Sequence, residues 1–489
     1  MTRVVVAGHG MVGARFVDEL MAADTAGRFD VTVLGAEACE PYNRVLLSEV
    51  VSGAHDLASV TLPSASHPRV RVHRGIEAIE VDREDQVVLT DAGTRHRYDF
   101  LILATGSAAR IPPLGGLHDG DTLLRGVHPL RTIDDARDIV AATRNARNAV
   151  VLGGGVLGLE VACGLARRGL AVTVVHPMAV VMERQLDDTA SRVVEQAMVG
   201  LGIAYRVGIA ATDCVGTDGH LTGVRLVDGE LVPAELLVLA TGTTPATALA
   251  TSAGLPTARG VLVTDTLASP ADSRVFAIGD CAQPPEGGSG LVAQVWEQSR
   301  RLVSHLTGTT GGTTGGPTPA DTSDVVRLKA HGLDVVTMGV CGSAAADDAS
   351  RRRLLLSDSA AGRHVEVVVS NGCLVGARCI GAGPVAADLL ATYTRRIPVP
   401  ADPAYLLLPA LAGAVPGDGS VSIDTTVCRC NGVTRGAIED AVTGGADSVE
   451  EVAAATRATT GCGGCRDEVC GLVAALAHAQ ARSTPVRTA

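Results

Sequence analysis

The chain has 489 residues and is too long for a single core, so two to four domains are expected. Hydrophobic residues make up 46% and charged residues 19%, an ordinary soluble composition. With 2% aromatics and a net charge of −12, neither stacking on single-stranded nucleic acid nor attraction to nucleic acid or anionic membrane is expected.

The opening stretch, Val4-Val5-Val6-Ala7-Gly8, is an apolar run broken at once by Gly8, His9 and Gly10. It reads as a buried strand, and no small-residue cleavage site follows, so a signal peptide is not expected. No apolar run reaches the ~18 residues of a membrane helix. A cytoplasmic location is therefore the expectation.

The strand Val4–Ala7 runs into a G-x-G-x-x-G turn, Gly8-His9-Gly10-Met11-Val12-Gly13, followed by a helical pattern. Ala149–Leu152 repeats it, running into Gly153-Gly154-Gly155-Val156-Leu157-Gly158. Each copy has a second strand, Val31–Leu34 and Ala171–Val175, and a later strand ending in Ala-Thr-Gly, at Thr105-Gly106 and Thr241-Gly242. In such a turn the first glycine permits the bend and the second admits a pyrophosphate. The third lets the helix pack on the strand, so its N-terminal dipole faces the phosphates. One such motif is weak in a chain with 57 glycines, but two in matched settings imply two dinucleotide-binding domains.

The positions that follow differ. After the first copy the usual acidic position is Gly35, and Glu37 offers its carboxylate to a ribose two residues late. After the second it is His176, which signals neither the NAD glutamate nor the NADP arginine. The choice is open there, with NAD favoured because no basic cluster follows. Two dinucleotide sites fit a flavoprotein reductase, one holding FAD and one an exchanging nicotinamide dinucleotide. A later strand, Arg274–Ile278, stops at Gly279-Asp280, where a carboxylate can meet the ribityl chain of FAD.

Residues 307–319 are a Thr/Gly/Pro-rich stretch that reads as a linker. Residues 325–398 alternate short strands and turns, with no catalytic spacing; a packing or interface role is expected, with Cys341, Cys373 and Cys379 as packed thiols. The tail carries Cys428-x-Cys430, 31 intervening residues, then Cys462-x-x-Cys465. Without a secretory signal, four thiols in two glycine-flanked pairs read as one metal centre rather than as disulfides. A [2Fe-2S] cluster is expected, with zinc as the alternative, and Cys470 is not expected to be a ligand.

These residues are similar to a known family. Residues 1 to about 310 resemble the two-dinucleotide-domain flavoprotein reductases, with Gly279-Asp280 as their second FAD signature. Gly35-Ala36-Glu37 and Pro41-Tyr42-Asn43-Arg44-Val45-Leu46-Leu47-Ser48 resemble the branch of ferredoxin and rubredoxin reductases and the NAD(P)H-dependent nitrite reductase large subunit. The resemblance implies that Arg44 and Ser48 lie against FAD. Members often carry lysine after that serine; here it is Glu49, to which no flavin contact is carried. It also implies Glu160 near the nicotinamide, the alternative being a solvated helix carboxylate. The disulfide reductases of the superfamily need a cysteine pair, and Cys39 and Cys163 are each alone. Val172–His176, Met182–Asp187 and Leu328–Val335 resemble the nitrite reductase branch in particular. The tail resembles the [2Fe-2S] domain of bacterioferritin-associated ferredoxin.

The expected fold is α/β: two Rossmann-like three-layer domains, a small α+β domain and a small helical [2Fe-2S] domain. The expected boundaries are 1–120 with 246–306 (FAD), 121–245 (NAD(P)), a linker at 307–324, then 325–398 and 424–475. The resemblance implies an NAD(P)H-oxidising relay through FAD and the cluster. Complete nitrite reductase large subunits continue into a sirohaem and [4Fe-4S] half, and no such cysteine set follows here. The expected partner is thus a separate nitrate or nitrite reductase catalytic subunit, with a homodimer also allowed. An NAD(P)H:ferredoxin or rubredoxin reductase with a fused cluster, and a redox or iron sensor, are the alternatives.

Overall fold

The computed structural model describes residues 1–62, 67–288, 290–308, 324–342, 345, 348, 350–412, 423–428, 430–461 and 463–483. Cys462 and nearly all of the linker lie outside these residues.

The valine-rich strands pair in parallel, as runs buried on both faces do. In the first sheet Thr2–Ala7 lies between Phe29–Gly35 and Phe100–Leu103; Val70–Arg74 extends one side, and Asp272–Ala277 joins Phe100–Leu103 on the other. The chain thus leaves this sheet and returns to it after the second unit. In the second sheet Asn148–Leu152 lies between Ala171–His176 and Leu236–Leu239. Both units insert a three-stranded antiparallel sheet before the Ala-Thr-Gly strand, Ala78–Arg97 and Ala211–Pro233. The repeat seen in the turns therefore extends to the whole unit.

The turns show why glycine is required. Gly8 has φ +120°, and a Cβ there would sit 2.1 Å from the Ala104 carbonyl oxygen; at Gly153, with φ +121°, it would sit 2.3 Å from that of Ala240. At Gly10 and Gly155 a Cβ would meet nothing within 4 Å, so the second glycine of each motif opens onto space. Helices Met11–Ala23 and Val156–Arg167 begin there.

Strands Val326–Ala330, Leu333–Gly339, Arg352–Asp358, Arg363–Ser370 and Cys373–Ile380 form a five-stranded antiparallel sheet with helix Gly383–Thr394 packed on it. Its first strand, Val326–Ala330, lies against helix Val156–Arg167: Leu328 is buried in the core of the second unit. The tail forms helices Arg435–Thr443, Val449–Thr456 and Arg466–Ser483 around a small apolar core. Among the described residues no helix is long and apolar enough to cross a membrane.

Candidate flavin and iron–sulfur site

A cavity of about 1820 Å³ runs across the first glycine turn to the start of the helix that follows the second, Val156–Arg167. Gly8, Gly10, Met11 and Val12 line one end, Thr105, Gly106, Gly279 and Asp280 the middle, and Val156, Leu157 and Glu160 the opposite wall. Gly13 stands behind, its α-carbon against the Gly8 carbonyl, where a Cβ would come to 2.1 Å.

Glu37 lines the cavity and is held from two sides. The Tyr42 hydroxyl donates to Oε2 at 2.6 Å, and Arg44 Nη2 donates to Oε1 at 2.5 Å. Arg44 also donates to the Arg131 carbonyl at 2.6 Å and stacks on the Tyr42 ring. Asp280 accepts from Ser107 Oγ at 2.9 Å and from Arg131 Nη2 at 2.8 Å, which fixes its carboxylate on the cavity wall. The open space at Gly10, the length of the cavity and the carboxylates at Glu37 and Asp280 fit a bound FAD.

Ser48 is placed differently from the expectation. It is buried and does not line the cavity; its hydroxyl donates to Glu160 Oε2 at 2.6 Å. Glu160 is also buried, at 5% exposure, which rules out the solvated helix carboxylate. Its Oε1 accepts from the Lys329 amide at 2.9 Å. Burial pushes the Glu160 pKa up, against the Lys329 charge and these two hydrogen bonds, which favour the ionised form.

The third sheet therefore does more than pack. Strand alternation sends Leu328 into the core and Lys329 toward the cavity. The Lys329 ammonium donates to the Val45 carbonyl at 2.6 Å and stands 3.5 Å from Glu49. Glu49 also faces His55 at 3.1 Å, and its pKa is lowered because the hydrogen bond from His55 and the Lys329 charge outweigh its desolvation. Sequence reasoning missed Lys329 because no spacing links residue 329 to residue 160; it missed Arg131 for the same reason.

At the second turn, Gly158 packs under Gly153, where a Cβ would lie 1.9 Å from the Gly153 carbonyl oxygen. His176 ends its strand with its ring against Gly154: the Gly154 amide donates to Nδ1 at 3.1 Å, and Nε2 faces Glu183 Oε2 at 3.1 Å. Gly242, with φ +95°, follows the second Ala-Thr-Gly strand, as Gly106 follows the first. The open Gly155 and the helix start beyond it suit a dinucleotide pyrophosphate.

The tail domain lines one side of the cavity. Cys430, Gly432, Gly464, Cys465 and Glu468 line the same space as Gly10 and Asp280. Arg15 Nη1 donates to Asn431 Oδ1 at 2.5 Å, Asn43 Nδ2 to the Gly461 carbonyl at 2.6 Å, and Arg457 pairs with Asp18 at 2.8 Å. Cys428 and Cys430 bring their sulfurs to 3.8 Å, and hydrogen bonds from the Cys430 and Cys465 thiols lower the Cys428 pKa to about 3. Gly461 lies so close that a Cβ would come 2.3 Å from Cys430 Sγ. Without Cys462 the described thiols do not complete a metal cradle by themselves. Three converging sulfurs, a thiolate-favouring setting and a glycine backbone against a sulfur nonetheless fit a cysteine-ligated cluster. Cys470 is exposed. At Cys163 and Cys39 thiolate chemistry is disfavoured: burial raises Cys163 to about 11 and also raises Cys39.

Known proteins agree with this geometry. Residues 2–301 match the family pyridine nucleotide-disulphide oxidoreductase, and residues 426–475 match the BFD-like [2Fe-2S] binding domain. The chain is 32% identical to the assimilatory nitrate reductase electron transfer subunit of Bacillus subtilis, across 95% of this chain and 58% of that one. It is 32% identical to the nitrite reductase (NADH) large subunit of Escherichia coli, across 95% and 54%. The chain spans about half the length of these curated relatives. The covalent putidaredoxin reductase–putidaredoxin complex shares the fold with a TM-score of 0.70 at 22% identity, covering 84% of this chain and 99% of that one. The cofactors of these matched regions are FAD, a nicotinamide dinucleotide and a [2Fe-2S] cluster. With its first glycine turn and the helix that follows its second lining one cavity, the chain belongs to the pyridine nucleotide-disulphide oxidoreductase family and carries a BFD-like [2Fe-2S] domain toward its C-terminal end.

Proposed function

We propose that this chain oxidises a nicotinamide dinucleotide and delivers the electrons, through FAD and the [2Fe-2S] cluster, to a nitrate- or nitrite-reducing centre outside these residues. The observation that carries the reading is the shared wall: Cys430 and Cys465 line the same cavity as Gly10, Glu37 and Asp280. Electron donor and acceptor sites on one cavity need no second protein between them. The names of the relatives support the destination.

When bound, FAD supplies the conversion from two-electron hydride chemistry to one-electron transfer, and the cluster carries single electrons. The chain's residues hold and shield. Gly8, Gly10 and Gly13, with Met11 and Val12, would cradle the FAD pyrophosphate at the start of helix Met11–Ala23. Glu37 would take the ribose hydroxyls, and Asp280, clamped by Arg131 and Ser107, the ribityl chain. Arg44 holds Glu37, and Thr105 and Gly106 complete the wall. Gly153, Gly155 and Gly158, with Val156 and Leu157, would hold the nicotinamide dinucleotide beside His176 and Gly242. Glu160, braced by Ser48 and the Lys329 amide, is a buried carboxyl near the start of helix Val156–Arg167, with its pKa raised by burial. Cys428, Cys430, Cys462 and Cys465 would ligate the cluster. The tail domain forms part of the cavity wall.

Anaerobic mixing with NADH or NADPH tests the relay. Flavin absorbance should bleach first, and the reduced-cluster EPR signal should follow within turnover time. A cluster that stays oxidised sinks the relay. Cys462→Ser should lose iron and keep FAD, whereas zinc in the wild-type protein would reject the cluster.

A further inference from the structure

We infer that Glu183, oriented by His176, reads the adenosine ribose of the nicotinamide dinucleotide and makes the chain select NADH over NADPH. The inference rests on the proposal that the second glycine turn binds that dinucleotide. In such units the ribose is met by an acidic residue about 20 residues beyond the turn, at the end of the second strand. Here that strand, Ala171–His176, ends in an imidazole.

The imidazole is not idle. The Gly154 amide donates to His176 Nδ1 at 3.1 Å. An amide can only donate, so Nδ1 is unprotonated and the neutral ring carries its proton on Nε2. Nε2 therefore donates to Glu183 Oε2, 3.1 Å away. The segment bearing Glu183 folds back onto the same turn: the Met182 amide donates to the Gly154 carbonyl at 2.9 Å, with Met182 at φ +51°. Gly154 has no room for a side chain, since a Cβ would lie 2.9 Å from the His176 ring. A carboxylate seven residues past the strand is thereby brought to the mouth of the dinucleotide turn.

Glu183 is free to act there. Its side chain is 36% exposed, and its Oε1 makes no hydrogen bond to the described residues. A carboxylate accepts from the paired hydroxyls of an NADH ribose and repels a 2′-phosphate. The arginine of the adjacent strand does not offset this. Arg206, in register with Val175, is committed to Glu230 through bonds of 2.8, 3.0 and 3.2 Å. Arg184, exposed beside Glu183, is the cation that a 2′-phosphate would recruit if the inference were wrong.

Calorimetric titration of the flavin-loaded protein with NAD+ and NADP+ tests it directly. The wild type should bind NAD+ on the order of a hundredfold tighter than NADP+. Glu183→Gln should weaken NAD+ about tenfold, tighten NADP+, and so collapse the ratio. His176→Phe keeps the ring volume but loses Nε2, and it should narrow the same ratio with FAD content unchanged. Loosened packing alone would weaken both dinucleotides alike. Preference for NADP+ in the wild type, or an unchanged ratio in Glu183→Gln, overturns the inference. If NAD+ binds with the expected preference but NADH leaves the flavin oxidised, the selectivity stands and the hydride-entry reading fails.

Discussion

The two glycine turns are built alike, and at one contact between them and the following strand a histidine has changed sides. In the first unit His9 is the middle residue of the motif and packs against Gly35, the strand-end residue; a Cβ on Gly35 would lie 2.8 Å from the His9 Cβ. In the second unit Gly154 is the middle residue and His176 the strand end, with the ring 2.9 Å from where a Gly154 Cβ would be. The contact holds one imidazole and no more. On the turn side, His9 leaves Nδ1 without a hydrogen bond among the described residues, burial lowers its pKa, and the nearby carboxylate is Glu37, held by Arg44. On the strand side, the ring bonds the turn and aims Glu183. Each turn thus has an acidic group nearby by a different route, because a close-packed contact has room for one ring and its side decides which groups stand beside it.

The comparison breaks most sharply at the first glycines. Gly8→Ala and Gly153→Ala each force a Cβ onto a carbonyl at positive φ, at a local cost on the order of 3 kcal/mol. Gly8→Ala should lose FAD, read as flavin per chain. Gly153→Ala should keep FAD and lose dinucleotide binding. Loss of FAD in both would mean that the turns do not serve separate ligands.

The seam between the units comes next. Lys329→Met removes the ammonium shared by the Val45 carbonyl and Glu49, and flavin reduction by NADH in stopped flow should slow roughly tenfold to a hundredfold. An unchanged rate would return the third sheet to a packing role. A smaller effect is expected from pH at Glu160. Burial is the main cause of its raised pKa, so its contribution to stability is full below the ordinary carboxylate range and is lost as pH rises through the raised value. Melting temperatures of Glu160→Gln should therefore gain on the wild type from mild acid toward neutrality. Parallel curves would count against a raised pKa.

The smallest effect belongs to the tail. Arg457, 37% exposed, pairs with Asp18 on the first unit, and such pairs are worth about 1 kcal/mol or less. Arg457→Glu should slow cluster reduction only severalfold, and added salt should shrink the difference.

Much of the molecule was legible in the chain because its determinants are local. The valine runs, the paired G-x-G-x-x-G turns, the Ala-Thr-Gly strand ends and the two cysteine pairs each announce themselves within a few residues. The candidates Gly8, Gly10, Glu37, Gly279 and Asp280 follow from such local patterns and Arg44 from the family resemblance, and the structure brings them to one cavity. Ser48 was legible as a motif residue but not as a brace for Glu160, since that contact joins two short helices more than a hundred residues apart.

What the sequence determined by itself was the set of parts: two dinucleotide units, a cluster domain and the residue types at their turns. Period-two and helical patterning, glycine's access to positive φ and thiol spacing are properties of short segments. The tertiary structure alone decided which charges meet. It placed Lys329 of the third sheet beside Glu160 of the second unit, gave His176 its glutamate from a folded-back loop, and set Cys430 and Cys465 over the flavin cavity. Charge pairing and domain docking depend on distances between segments far apart in the chain, and no local pattern carries that information.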